Sequence, residues 1–343
     1  KKKNKKVINN VNILNEDNVL ENLEQYQTNS GYYSYTTTKP EIYNIDGKEK
    51  LVYISPREIV SNDTRTYNNK TYEYTHGYGA IISSANSVDE NGNLEYIQSD
   101  FKGEDNKVKI TQPRIYFGLQ TNEPIVTNAK NKQEYDYPLT STTSNTNTYE
   151  GKAGLKLGFL DRIILGVKEK NLGIAFSGNV TKESRIITTR NIITRAKTIM
   201  PYLKYDEEPY MVVTDEGKLV WVLDAYTTSN DYPYSQETII EYGGLKEKIN
   251  YIRNSVKVII DAYDGTTDFY ITDKSDPIAI AYSNIYPELF KDGEEIPQDI
   301  SKHMVYPKYL YNIQAKILER YHNVQPEVLY RACLLYTSDA ADE

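Results

Sequence analysis

Cysteine is almost absent from this chain of 343 residues: the only one is Cys333, near the end. Before it, no disulfide, thiolate nucleophile or cysteine-based zinc site is available. Long hydrophobic runs are also missing. No apolar stretch approaches the roughly 18–20 residues that a spanning helix needs, and mean hydropathy is -0.64. The chain as given therefore reads as water-soluble. There is no initiator Met and no apolar segment after KKKNKK (1–6), so no secretory signal is expected and the chain reads as starting mid-protein. Positive charge is in deficit, with 40 Lys and Arg against 48 Asp and Glu, net -8. Five of the lysines lie in the first six residues, which leaves a more acidic body. That balance argues against a nucleic-acid protein, whose affinity would rest on basic groups meeting phosphates. The lysine run itself reads as a solvated terminus, with anionic lipid as the other partner its charge suits.

Phe and Trp are scarce, at 6 and 1, whereas Tyr numbers 33. Tyrosine packs its ring while its hydroxyl stays wet. The excess suits half-buried sheet faces, and equally suits binding surfaces. Hydrophobic residues at 39% and charged residues at 26% are enough to bury a core. The length allows one large domain or two modest ones. The closing stretch RACLLYTSDAADE (331–343) breaks the texture of what precedes it. Its ACLLYTSDAADE matches the translation of a common sequencing adapter, so the natural sequence is expected to stop near Tyr330.

The pattern predicts a basic start (1–9), a β-rich lobe (10–138), a polar loop (139–149) and an α+β lobe (150–330), which together with the first lobe would make one domain or two. Residues 10–28 are amphipathic and read as helical in their later part. Strands are expected at 49–54, 70–83, 94–98, 114–117 and 124–127. LTSTTSNTNTY (139–149) is uncharged and of low complexity, and reads as a loop. Helices are predicted over 154–171 and 181–203, the second capped near Thr181 and ended by Pro201. Two hairpins follow, 210–214 with 218–226 around Asp215-Glu216-Gly217, and 254–262 with 267–272 around Asp264-Gly265. Further helices are expected at 277–290 and 307–322. Strands in runs followed by helices in runs predict an α+β fold built of antiparallel hairpins with packed helices.

The candidate chemistry centres on a repeated triplet. VWVLDAYTTSN (220–230) and VKVIIDAYDGTTDFYITD (256–273) each end an apolar run in Asp-Ala-Tyr. The preceding residues are apolar on both parities, as in a strand covered on both faces. Asp is a turn residue, so Asp224 and Asp261 are expected to end their strands. The functional alternative brings Asp224, Asp261 and Asp264 to one sheet end, as an oxygen-ligand cation site or an acid–base pair. His76, in YTHGYG (74–79), is a candidate proton shuttle, although its possible partners His303 and His322 are remote and no HExxH pair exists, so no metal site is assigned. No glycine loop of a nucleotide-binding kind and no GxSxG are present, so no cofactor is assigned. Arg253 is a candidate clamp for an anion, or a partner for a nearby carboxylate. Tyr74, Tyr78, Tyr226, Tyr232, Tyr234 and Tyr263 join it as candidate binding residues.

YTHGYGAIIS (74–83), PYLKYDEEPYMVVTDEGKLVWVLDAYTTSNDYPYS (201–235), NYIRNSVKVIIDAYDGTTDFYITDKSDPI (250–278) and HMVYPKYLYNIQAKILERYH (303–322) together resemble uncharacterised protein family 0182, a set of bacterial multi-pass membrane proteins. The resemblance runs from about residue 10 to 330. The family pattern has Asp-Pro-Tyr where this chain has Glu208-Pro209-Tyr210, which weakens any metal or catalytic role there. The resemblance implies membrane helices N-terminal to this part, and an extracytoplasmic location for the part in hand. It carries over no catalytic residue. Because basic residues beside a span favour the cytoplasmic side, a spacer or a re-ordered segment is expected between KKKNKK and the last helix. The expected role is a non-catalytic binding or scaffolding module at the cell surface, meeting an envelope glycan or a protein partner. The alternatives are an envelope hydrolase or transferase using the aspartates, and an accessory domain of a transporter.

Overall fold

A computed structural model describes residues 11–27, 33–60, 66–99, 107–138 and 144–322. In chain order, helix α1 (Glu16–Gln27) precedes β1 (Tyr33–Tyr35), β2 (Pro40–Ile45), β3 (Lys48–Ile59), β4 (Gly77–Tyr78), β5 (Ala80–Val88) and β6 (Leu94–Gln98). Short strands β7 (Arg114–Ile115), β8 (Ile125–Thr127), β9 (Glu134–Pro138) and β10 (Ser144–Asn147) follow. Helices α2 (Phe159–Lys168) and α3 (Leu172–Phe176) come next, then β11 (Arg185–Ile187) and α4 (Ile192–Ile199). The remainder comprises β12 (Lys204–Tyr205), β13 (Tyr210–Val213), β14 (Leu219–Ser229), β15 (Thr238–Tyr242), β16 (Leu245–Ile249), β17 (Tyr251–Asp261) and β18 (Thr267–Ile271). It closes with α5 (Pro277–Ile285), β19 (Phe290–Asp292), α6 (Gln298–Ser301) and α7 (Lys308–His322). The fold is α+β, and its two larger sheets are antiparallel except for the parallel β18–β19 pair.

The two sheets face each other across one core. A five-stranded sheet has the order β1-β3-β5-β6 with β2 beside β3, and a six-stranded sheet has β12-β14-β17-β18-β19 with β13 beside β14. Val52 and Ile54 of the first sheet share a buried cluster with Trp221, Leu223, Val258 and Ile260 of the second. The opposite parity faces outward onto helices. Leu51 and Tyr53 meet Val19 and Leu23 of α1, and Val220, Val222 and Ile259 meet Ile296 and Ile300. Strands apolar on both parities are thus buried on both faces, because each sheet is sandwiched between the shared core and a helical cover.

Both expected hairpins form, with Val213 opposite Leu219 and Ile260 opposite Thr267. Several local expectations are corrected. Asn69–Glu73 is a wide helical turn, with the Tyr74 N–H reaching Asn69 O at 2.8 Å, and the expected 70–83 strand starts only at Gly77. The helix expected from 181 begins at Ile192. Arg185–Ile187 instead pairs with Ile125–Thr127, and Asn191 caps the helix by accepting Thr194 N–H at 2.9 Å. Consecutive β-branched Ile186 and Ile187 fit either period, and the pairing partner decided the outcome. Part of the expected 139–149 loop, Ser144–Asn147, is a strand on Glu134–Pro138, while 139–143 lie outside the described residues. The 154–171 helix is shorter, Phe159–Lys168, and 277–290 stops at Ile285. Residues 1–9 and 331–343 also lie outside the described residues.

Candidate binding groove

The repeated triplets do not occupy equivalent positions. β17 ends at Asp261, whose Oδ1 accepts the N–H groups of Tyr263 at 2.8 Å and Asp264 at 3.0 Å. Asp264 Oδ1 accepts Thr266 N–H at 3.0 Å and its hydroxyl at 2.7 Å. This is turn chemistry, as expected. Burial raises the Asp261 carboxyl above its usual range. Asp224, expected to end its strand, lies instead in mid-strand, since β14 runs on to Ser229. It can do so because Lys257 is its direct cross-strand neighbour and donates to it, while Asn254 Nδ2 donates at 2.9 Å. Val220 pairs with Asp261 and Asp224 with Lys257, so the two carboxylates stand about 13 Å apart along the strands.

His76 precedes β4 and is fully buried. Its Nδ1 lies 2.9 Å from Gly77 O, and its Nε2 lies 3.8 Å from Asp136 Oδ1. Asp136 is gripped by Arg114 through Nε and Nη2, both at 2.8 Å. Burial lowers the imidazole pKa to about 4, so the ring is neutral. Beside it, Glu134 Oε2 accepts the hydroxyls of Thr75 and Tyr116, each at 2.6 Å. Arg190, also buried, donates to the carbonyls of Tyr116, Glu123 and Thr75. Sequence reasoning named His76 but missed Arg114, Glu134, Asp136 and Arg190, which arrive from other strands and loops. His303 is elsewhere, stacked on Tyr43 at 3.9 Å, and His322 ends α7. No group of three metal-ligating side chains occurs among the described residues.

The candidate tyrosines divide. Tyr226 is fully buried and donates to Asp206 Oδ2 at 2.5 Å, and Tyr78 is buried in β4, so neither offers a binding face. Tyr74 packs on Tyr135 with ring centroids 5.0 Å apart, and Tyr263 packs on Tyr116 and Tyr149. Tyr234 is fully exposed on the loop before β15.

Tyr232 and Arg253 meet at a groove. β15 and β16 form an arm whose turn is Gly243-Gly244, both at positive φ. Glycine is the residue that takes this backbone without cost. The arm lies against α7 through Ile240, Ile249 and Ile313. Between them runs a cleft of about 400 Å³ whose lining includes Ile249, Ile252, Leu310, Ile313 and Ile317. At its mouth Tyr232 stacks on Tyr251, with centroids 4.9 Å apart and planes 21° apart, and the Arg253 guanidinium sits 5.7 Å from the Tyr251 ring. The polar wall is largely satisfied from within. Asn250 Nδ2 donates to Tyr232 O at 2.9 Å and Ser235 O at 3.3 Å, and Ser235 Oγ donates to Asn250 O at 2.7 Å. Arg253 Nη1 donates to Ser275 Oγ at 2.8 Å and Asp273 Oδ2 at 3.1 Å. The apolar surface exposed along the groove is that of Ile252, Ile317 and the Tyr232 ring.

A sequence model of the Uncharacterised protein family (UPF0182) matches residues 1–334. A "UPF0182 protein" of Clostridium tetani is 45% identical over 324 residues, covering 94% of this chain and 35% of the relative. A "UPF0182 protein" of Clostridium botulinum is 42% identical over 330 residues, covering 95% of this chain and 36% of that protein. One of Clostridium perfringens is 41% identical over 328 residues, covering 95% and 34%. The chain thus spans about a third of the length of the curated relatives it matches. No solved structure matches it significantly.

Proposed function

The chain belongs to the Uncharacterised protein family (UPF0182), and on that premise we propose that it is the extracytoplasmic part of a multi-pass membrane protein and serves as a binding module. Its ligand is a peptide segment with apolar side chains, seated in the groove between the β15–β16 arm and α7. One observation carries this reading: Asn250, Ser235 and the Tyr232 carbonyl of the groove wall are spent on each other, while Ile252, Ile317 and the Tyr232 ring remain partly exposed along it. A glycan would need many free hydrogen-bonding groups, whereas apolar peptide side chains need the surface that is there. The aspartates give hydrolysis no comparable support. Asp224 is sealed by Lys257, and Asp261 and Asp264 spend oxygens on their own turn.

The test is selection of randomised displayed peptides on the purified chain, followed by affinity measurement. Selected peptides should carry paired apolar residues. Tyr232→Ala and Ile317→Glu should each weaken them about tenfold or more, while Tyr234→Ala should not. Failure to enrich any peptide, or binding indifferent to Ile317→Glu, would sink the proposal.

A further inference from the structure

The α2 and α3 helices are amphipathic in an unexpected sense. Their inward side is Leu165, Gly166, Ile174 and Ala175, all buried. A Cβ on Gly166 would stand 3.1 Å from that of Ala175, so glycine lets the two helices close together. The outward side is also apolar. Phe159, Leu160, Ile164 and Val167 of α2, with Leu172 and Phe176 of α3, are each between 55% and 73% exposed. The Phe159 and Phe176 rings meet edge-on at 6.5 Å and join the two outer faces into one patch. Scattered exposed apolar residues are ordinary, but a contiguous patch of six large ones marks an interaction surface.

Two further observations identify what it meets. First, residues 152–185 hold five lysines and two arginines against three acids, in a chain whose net charge is -8. Lys152, Lys156, Lys168, Lys170 and Lys182 are all exposed. Second, four carbonyls at and after α3 are satisfied from within. Arg162 donates to Ile174 O through Nε at 3.3 Å and Nη2 at 3.1 Å, to Ala175 O at 3.0 Å, to Ser177 O at 2.9 Å and to Val180 O at 3.2 Å. Carbonyls at the end of α3 would otherwise demand water. An apolar wedge, a cationic rim and satisfied carbonyls are what insertion into a headgroup layer requires. A second copy of the chain fits less well, because it would set the same lysines against each other.

We propose that the α2–α3 hairpin is a wedge that seats on an anionic lipid bilayer, with Leu160 and Ile164 inserted among acyl chains and the lysines over the headgroups. This contact is separate from the arm groove and stands whether or not that groove takes peptides.

Co-sedimentation of the chain with vesicles tests it. Phosphatidylglycerol–phosphatidylcholine vesicles should bind the chain, pure phosphatidylcholine vesicles much less, and added salt should weaken the first. The double variant Leu160→Ser/Ile164→Ser removes exposed groups only, so it should fold normally and lose about tenfold or more in partitioning. Lys156→Glu/Lys168→Glu/Lys170→Glu should lose at least about tenfold on anionic vesicles alone. Three results would overturn the proposal. One is no binding to either vesicle; another is binding that both variants leave intact. The third is concentration-dependent self-association that Leu160→Ser/Ile164→Ser abolishes without any vesicle binding, which would make the patch a protein interface.

Discussion

Replacing Asp224 by alanine should destabilise the fold far more than the same change at Asp261, although both acids belong to Asp-Ala-Tyr. The Asp224 side chain is 1% exposed and that of its partner Lys257 is 10% exposed. Alanine at 224 strands the ammonium on a covered sheet face and removes the acceptor of Asn254 Nδ2. Breaking a buried pair from one side costs about 3–5 kcal/mol. The low end of that range is expected, because the lysine stem lets the charge lean toward water. Asp261 only accepts two backbone N–H groups at a half-buried turn, and its loss should cost about 1 kcal/mol. Urea unfolding followed by fluorescence reads both. Trp221 is the single tryptophan, is fully buried, and lies on the strand face opposite to Asp224, so the probe is not itself perturbed. Asp224→Leu with Lys257→Met should recover most of the loss, since an apolar pair has no charge to desolvate. If Asp224→Ala and Asp261→Ala cost the same within error, or if the apolar pair recovers nothing, the mid-strand ion pair does not have the role assigned to it.

Other outcomes follow from the same structure. Burial lowers the His76 pKa from the ordinary 6.5 to about 4 in the folded protein. The unfolded chain therefore holds more protons between those values, and acidification through that window removes stability. Comparison of His76→Gln with the parent should show the parent losing about 1.5 kcal/mol more between pH 6.5 and 5; parallel pH profiles would contradict the burial argument. Gly265→Ala places a Cβ 2.5 Å from the Phe117 ring at φ +69°, and should cost about 2 kcal/mol or more. Gly47→Ala at φ +73°, with open space around it, should cost about 1 kcal/mol, and equal thermal shifts would refute the distinction. Arg162→Ala should loosen the α2–α3 hairpin alone, speeding tryptic cleavage after Lys168 or Lys170 while the urea midpoint read at Trp221 stays put.

Much of the architecture is legible in local pattern. Two strands announce themselves by apolar residues on both parities, at 219–223 and 256–260, although the first runs on to 229 and the second starts at 251. Asp215-Glu216-Gly217 and Asp264-Gly265 mark the reversals, and Pro277 opens its helix. These signals are local because backbone geometry sets the side-chain period and turn residues set the reversals. Of the groove, Tyr232 and Arg253 are identifiable from sequence, whereas Leu310, Ile313 and Ile317 read only as part of a helix over 307–322. Arg185–Ile187 was misread because a strand of three residues is chosen by its partner, Ile125–Thr127, and not by its own composition.

By itself, then, the sequence determined the α+β class, both hairpins, the family, and which side chains are apolar enough to form sheets. Tertiary structure alone decided that Asp224 is a paired strand residue and not, like Asp261, a turn acid, that His76 is sealed beside Asp136 and Arg114, and that the outer face of α2 is exposed. Each of these depends on which distant segment comes to lie alongside, and that is settled by packing across the whole chain, not by the residues on either side.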